Sequence, residues 1–179
     1  MKGIVFDLLE GAVIRTHGEN AWDDLLEAAG LEGGYTSLGS YPDQHLMDLV
    51  AAASAMTGES AQGVVRWFGR EAMPVLASSY PRFFDGHTSI YTFLYTLNDI
   101  IHPEVRKLYP GADVPVFGFS TAPDGAVTMT YGSHRKMCAF AEGLIEGAAA
   151  HLGQVVSITQ PTCMLRGDAV CTIEVRVED

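Results

Sequence analysis

Three groups of residues in this 179-residue chain are of a kind that can do chemistry. The first is one histidine, His102, inside the strongly apolar run Ile100-Ile101-His102-Pro103-Glu104-Val105. A neutral imidazole carries a lone pair, so a histidine in a dry pocket can ligate a metal. On spacing alone, a core histidine bonded to a carbonyl is the commoner outcome. No second histidine stands three or four positions away, so a dedicated zinc or di-iron cluster is not indicated. The second group is Tyr131, Ser133 and Arg135, alternate positions where an extended segment gives way to a helix. Alternate residues of a strand face one way. A phenol, a hydroxyl and a guanidinium on one side make a carboxylate receptor, since Arg forks onto two oxygens and a helix N-terminus adds free N–H groups. The same residues also suit a surface cap with a solvated Arg. The third group is Cys138, Cys163 and Cys171. An odd number does not look like a disulfide framework, and free cysteines are usually buried, reduced thiols.

The elements that position these groups follow from periodicity. Residues 4–16 and 19–29 carry apolar positions at helical spacing, with Gly30 and Gly33-Gly34 as stops. Residues 36–42 read as a loop. Ser40 is a candidate cap, with Asp43 three residues on, for a helix carrying Leu46, Leu49 and Val50 and ended by Gly58. A further helix starts near Ser60, and Pro74 should kink or end it. Residues 78–86 are irregular and aromatic. Thr88 is a candidate cap for the helix that leads to His102. Pro103 disfavours helical geometry at His102, which predicts a kink there and a fresh helical segment over 103–109. Residues 114–121 and 126–132 alternate and are separated by Ala122-Pro123-Asp124-Gly125, a hairpin signal. Ser133 reads as the cap of a long helix closed by Gly153, and residues 154–159 and 169–177 as a second strand pair. Helices first and antiparallel strands later make the class α+β.

Composition limits the partners. The net charge of −11 argues against a nucleic-acid surface and against an anionic membrane surface. No apolar run reaches the ~18 residues of a membrane span, and Met1-Lys2-Gly3-Ile4-Val5-Phe6-Asp7 lacks the features of a secretory signal. A cytoplasmic location is the expectation, with no nucleic acid and no membrane among the partners.

Taken together, these motifs resemble the haem nitric oxide/oxygen binding family, or H-NOX domains. The resemblance spans essentially the whole chain. It is carried by Met1-Lys2-Gly3, the His102 segment through Lys107-Leu108-Tyr109, Pro115, the Tyr-x-Ser-x-Arg motif at Tyr131, Ser133 and Arg135, and Glu142-Gly143-Leu144-Ile145-Glu146-Gly147. It implies one H-NOX domain over residues 1–179, with a helical distal part (about 1–60), a proximal part with a four-stranded antiparallel sheet and long helices (about 61–179), and haem b between them. It implies that His102 is the protein ligand of the haem iron, that Tyr131, Ser133 and Arg135 hold the propionates, and that Pro115 packs on the porphyrin. Asp43 is expected to pair with Arg135, as an acid of the early helices does in some relatives. Pro103 after the ligand departs from the family pattern.

The resemblance also frames the gas side. Oxygen-binding members place a tyrosine on the helix after the propionate motif, where this chain has Phe140. Val5, Leu9, Leu76 and Leu144 are expected to line the same wall, all without hydrogen-bond donors. The expectation is a sensor, not an enzyme, that binds NO and CO, excludes O2, and signals by rupture of the His102–iron bond to a separate protein such as a histidine kinase or a cyclic-dinucleotide enzyme. Some bacterial members carry a zinc site of three cysteines and one histidine, which maps to Cys138, Cys163 and Cys171. The histidine position is Gln160 here, and a neutral amide is a poor zinc ligand. Two rivals are a haem enzyme of the peroxidase or NO dioxygenase type, which needs a distal acid–base pair, and a haem-free module for a carboxylate ligand.

Overall fold

The computed structural model describes residues 1–122 and 125–178. Four helices come first, α1 (Gly3–His17), α2 (Ala21–Ala29), α3 (Asp43–Thr57) and α4 (Ala61–Ser79). Two short helices follow, α5 (Ile90–Tyr95) and α6 (His102–Leu108), the second carrying His102 at its first position. Strands β1 (Val116–Thr121) and β2 (Val127–Gly132) precede the long helix α7 (Cys138–His151), and β3 (Val156–Thr162) and β4 (Cys171–Val177) close the chain. The sheet is antiparallel throughout, in the order β1-β2-β4-β3. The α+β class and the four-stranded sheet are as the sequence predicts. The hairpin tip at Pro123 and Asp124 lies outside the described residues.

Local expectations hold at some boundaries and give way at others. Ser60 caps α4 by accepting from the Gly63 N–H at 3.0 Å, and Gly58 ends α3 with φ of +75°. Ser40 is not a cap: α3 begins at Asp43 after Pro42, and the Ser40 hydroxyl accepts from Lys2 Nζ instead. Ser89, not Thr88, caps α5. Pro74 does not end α4, which runs on to Ser79. Buried Ala72, Met73 and Ala77 hold the helix on both sides of the proline, so packing outweighs the lost backbone hydrogen bond. Ser133 does not cap α7. A turn over 133–137, with Lys136 at φ of +51°, separates it from the helix start at Cys138.

Two hydrophobic cores share α4 and α7. One joins α1, α2, α3 and the first half of α4 through Phe6, Leu46, Leu49 and Phe68. The other joins the end of α4, α5, α7 and the inner face of the sheet through Ile90, Leu94, Met129 and Ile173. Glycines set how closely α4 and α7 pack. A Cβ on Gly69 would overlap the Phe140 carbonyl, and one on Gly143 would overlap the Arg66 carbonyl. Arg66 then ties the pair, reaching Glu142 at 2.9 Å and Glu146 at 2.7 Å.

Candidate functional site: an apolar cavity with one charged end

A cavity of about 320 Å³ lies between the two cores, within the size range of small-molecule and cofactor sites. Its walls come from α1 (Val5, Leu8), the end of α4 (Leu76) and the residue that follows it (Tyr80), α7 (Phe140, Leu144), the His102 segment and Pro115. Of the residues expected to line it, Val5, Leu76, Phe140, Leu144, Pro115, His102, Tyr131, Ser133 and Arg135 all do. Leu9 does not. It is buried in the core of the early helices, and Leu8 faces the cavity instead. Consecutive residues of a helix differ by ~100° in direction, so only one of the pair can face a given wall.

His102 reaches the cavity by a route that differs from the expected kink. The segment Leu97–Ile101 is a π-helical turn, and His102 itself is helical, with φ of −65° and ψ of −37°. Pro103 sits in the first turn of α6, where its missing N–H is harmless. The distortion therefore falls before the histidine. Asn98, within the π turn, explains it: its side chain donates to the Phe117 carbonyl at 2.7 Å and accepts from the Phe117 N–H at 3.0 Å. This satisfies the outward backbone groups of edge strand β1 and pulls the turn onto it.

The imidazole of His102 stands 5.8 Å from the Phe117 ring, centroid to centroid. Its Nδ1 is buried without a hydrogen-bond partner. Burial, helped by the Arg106 charge and opposed by the Pro115 backbone, pushes its pKa down to about 4. A neutral imidazole with an orphaned ring nitrogen beside an apolar cavity fits a metal-ion ligand, because coordination is the partner the buried atom lacks.

The charged end is built from β2 and the turn after it. Tyr131 is buried, and its hydroxyl accepts from the Met137 N–H at 3.1 Å. Burial raises its pKa, while Ser133 and the Met137 N–H act in the opposite sense. The phenol therefore stays protonated and able to donate. The Arg135 side chain, 16% exposed, donates from Nε to Asp43 at 2.7 Å, which is the expected pair. Its Nη1 donates to the Asp113 carboxylate at 3.0 Å and the Asp113 carbonyl at 2.9 Å. Burial works to raise the Asp43 pKa, but hydrogen bonds and charge from the Met1 amine and Arg135 outweigh it and hold the carboxyl below its usual range.

Two features escaped the sequence. Asp113 faces Arg135 from the stretch before β1. Tyr80 and Tyr109 both line the cavity, their hydroxyls 2.6 Å apart. The cavity is thus less free of hydroxyls than its predicted wall. Tyr80 lay within the irregular aromatic stretch and Tyr109 within the His102 segment, and neither has a periodicity that marks it as facing the other.

The three cysteines converge away from the cavity. Cys138 opens α7, Cys163 follows β3 and Cys171 opens β4, and all three are buried. Their sulfurs lie within 4.8 Å of one another, with Cys138 and Cys163 at 3.7 Å. Burial raises the pKa of Cys138, and pushes Cys171 up to about 12. Cys163 is lowered: burial opposes this, but the backbone of Leu165 and Arg166 and the two neighbouring thiols prevail.

An apolar cavity with a histidine lone pair beside it and Tyr131, Ser133 and Arg135 on its wall suits an apolar ligand that bears carboxylates. Comparison with known proteins gives the family. The Haem-NO-binding (HNOB) family model matches residues 2–160. An H-NOX protein from S. oneidensis, solved in the Fe(II)NO ligation state, is 31% identical over 100% of both chains, with a TM-score of 0.92. The H-NOX domain of Shewanella oneidensis in the Fe(II)CO state is 31% identical over 100% of this chain and 99% of that one, with a TM-score of 0.88. The Fe(II) unliganded H-NOX protein from K. algicida is 27% identical over 100% and 97%, with a TM-score of 0.88. The chain belongs to the haem-NO-binding family and is an H-NOX domain, a haem-binding gas-sensor fold.

Proposed function

We propose that this domain senses NO, and also binds CO, at a ferrous haem b held by His102, and that it is a signalling protein rather than an enzyme. The observation that carries the reading is the position of the His102 imidazole: neutral, with an orphaned buried nitrogen, at a cavity that Tyr131, Ser133 and Arg135 also line. Haem supplies the iron on which a diatomic gas sits. The sequence has no Cys-x-x-Cys-His attachment motif, which favours the non-covalent b type. Arg135 and the Tyr131 and Ser133 hydroxyls receive the propionates, with Asp43 fixing the guanidinium from behind. Phe140, Leu144 and Val5 offer no donor to a bound gas, which disfavours the charge-separated oxygen adduct relative to NO and CO.

His102 is the switch. With haem bound, His102 would hold the iron, and its release would free α6 from its tether to the cavity. Contact at Pro115 then changes, and the distal part (about 1–60) shifts against the proximal part (about 61–179). A separate protein in the cytoplasm, such as a histidine kinase or a cyclic-dinucleotide enzyme, reads the two arrangements; the shift is limited by the difference in affinity of the ligand for them. Cys138, Cys163 and Cys171 are the ligands of a second metal, zinc.

The test of the switch residue is His102→Gly. The variant should fold, bind haem when imidazole is supplied, and lose the ferrous His–iron signature once imidazole is dialysed away. Unchanged iron ligation without imidazole refutes the assignment.

A further inference from the structure

The carboxylate receptor already holds carboxylates of its own chain. Arg135 Nη1 donates to the Asp113 carboxylate at 3.0 Å and to the Asp113 carbonyl at 2.9 Å, and Nε donates to Asp43 at 2.7 Å. These bonds account for every N–H on Nε and Nη1 and leave those on Nη2. A guanidinium forks onto a carboxylate through two adjacent nitrogens. A ligand carboxylate that forks onto Arg135 must therefore take Nη2 together with a nitrogen that Asp43 or Asp113 now holds.

The two acids are not held alike. Asp43 is 33% exposed and stands on the first turn of α3, whereas Asp113 is 60% exposed and stands in the irregular segment between α6 and β1. His134 lies near both, at 3.5 Å from Asp43 and 3.6 Å from Asp113, so it does not favour one over the other. An exposed carboxylate gives up an ion pair for water at little cost, which makes Asp113 the one to yield.

Asp113 also stands where two spaces meet. It lines the apolar cavity and a second cavity of about 230 Å³, with Tyr109, Val114 and Arg135 common to both. The second cavity adds Lys2 and Ser40 to its wall. It offers a polar place for the charged arms of an apolar ligand.

We propose that Asp113 is an internal competitor for Arg135: its carboxylate holds the guanidinium until a ligand carboxylate displaces it into solvent, while Asp43 stays and positions the guanidinium. The inference rests on the haem reading above, in which the displacing groups are the propionates. It makes the receptor selective, because a ligand without charged arms cannot replace Asp113 and gains nothing from Arg135.

The test loads the full-length protein with iron protoporphyrin IX or with its dimethyl ester, which lacks the carboxylates, and measures how each partitions against apomyoglobin by visible absorbance. Asp113→Ala should raise retention of the diacid relative to the diester by about 2–5-fold over wild type, the scale of one exposed ion pair. Asp43→Asn removes the same charge from the same guanidinium and should lower that ratio. A rise in both variants would show a general effect of negative charge, and a fall in both would show that each acid only positions Arg135. Either result overturns the proposal, as does an unchanged ratio in Asp113→Ala. A wild type that takes up neither porphyrin overturns the haem reading and this inference with it, a result distinct from porphyrin uptake with the wrong ratio.

Discussion

Arg135 shows how much of the site one residue carries. Its guanidinium is shared between Asp43, on the first helical turn of α3, and Asp113, before β1, so it joins the early helices to the segment before the sheet at the cavity wall. Asp43 provides a test through acid. Its folded pKa is depressed, so the stability it contributes is present above the unfolded value of about 3.9 and is lost as pH falls through the folded value. Asp43→Asn should therefore have a lower urea midpoint at pH 7 and a shallower fall in midpoint from pH 5 down to pH 2.5. Parallel curves for wild type and variant would remove Asp43 from this role. Phe140 provides the second test at this scale. It packs on Phe68 with ring centroids 4.8 Å apart and faces the cavity. Phe140→Tyr brings a hydroxyl to a wall that has none at that position, and the ferrous variant in air should show an oxygen-bound spectrum that wild type lacks. An identical response of the two proteins would place Phe140 away from the bound gas.

At the scale of elements, much was legible because it depends on periodicity. The apolar stripes of α1 and α3, and the alternation in β2 and β4, are consequences of one buried face and can be read locally, whereas α7 is buried on nearly every side between the two cores. The π turn before His102 was not legible, since its cause is Asn98 meeting the backbone of Phe117, nineteen residues away. The run of α4 through Pro74 was hidden for the same reason: the packing that sustains it comes from other elements. Among site residues, the Tyr131, Ser133 and Arg135 triplet was visible as a spacing. Asp113 and the Tyr80–Tyr109 pair were not, because each is defined by a contact across the cavity. The α4–α7 crossing gives an element-scale prediction. Gly143→Ala places a methyl against the Arg66 carbonyl, where backbone must move. The cost should be about 1–3 kcal/mol, read as a lower urea midpoint. A variant as stable as wild type would show that the two helices part without strain.

For the whole molecule, the arrangement is two cores with a ligand-sized space between them and shared helices on one side. The proposed switch at His102 would act on this arrangement, since packed cores tend to switch between discrete arrangements and resist gradual deformation. No helix among the described residues is long and apolar enough to cross a membrane.

The most direct measurement is the visible spectrum of the purified protein, reduced under anaerobic conditions and then exposed separately to NO, CO and O2. A five-coordinate ferrous form that becomes a five-coordinate nitrosyl, takes up CO and forms no oxygen complex is the predicted result. A colourless protein with no affinity for haem, a nitrosyl in which His102 stays bound, or steady turnover of peroxide would contradict it.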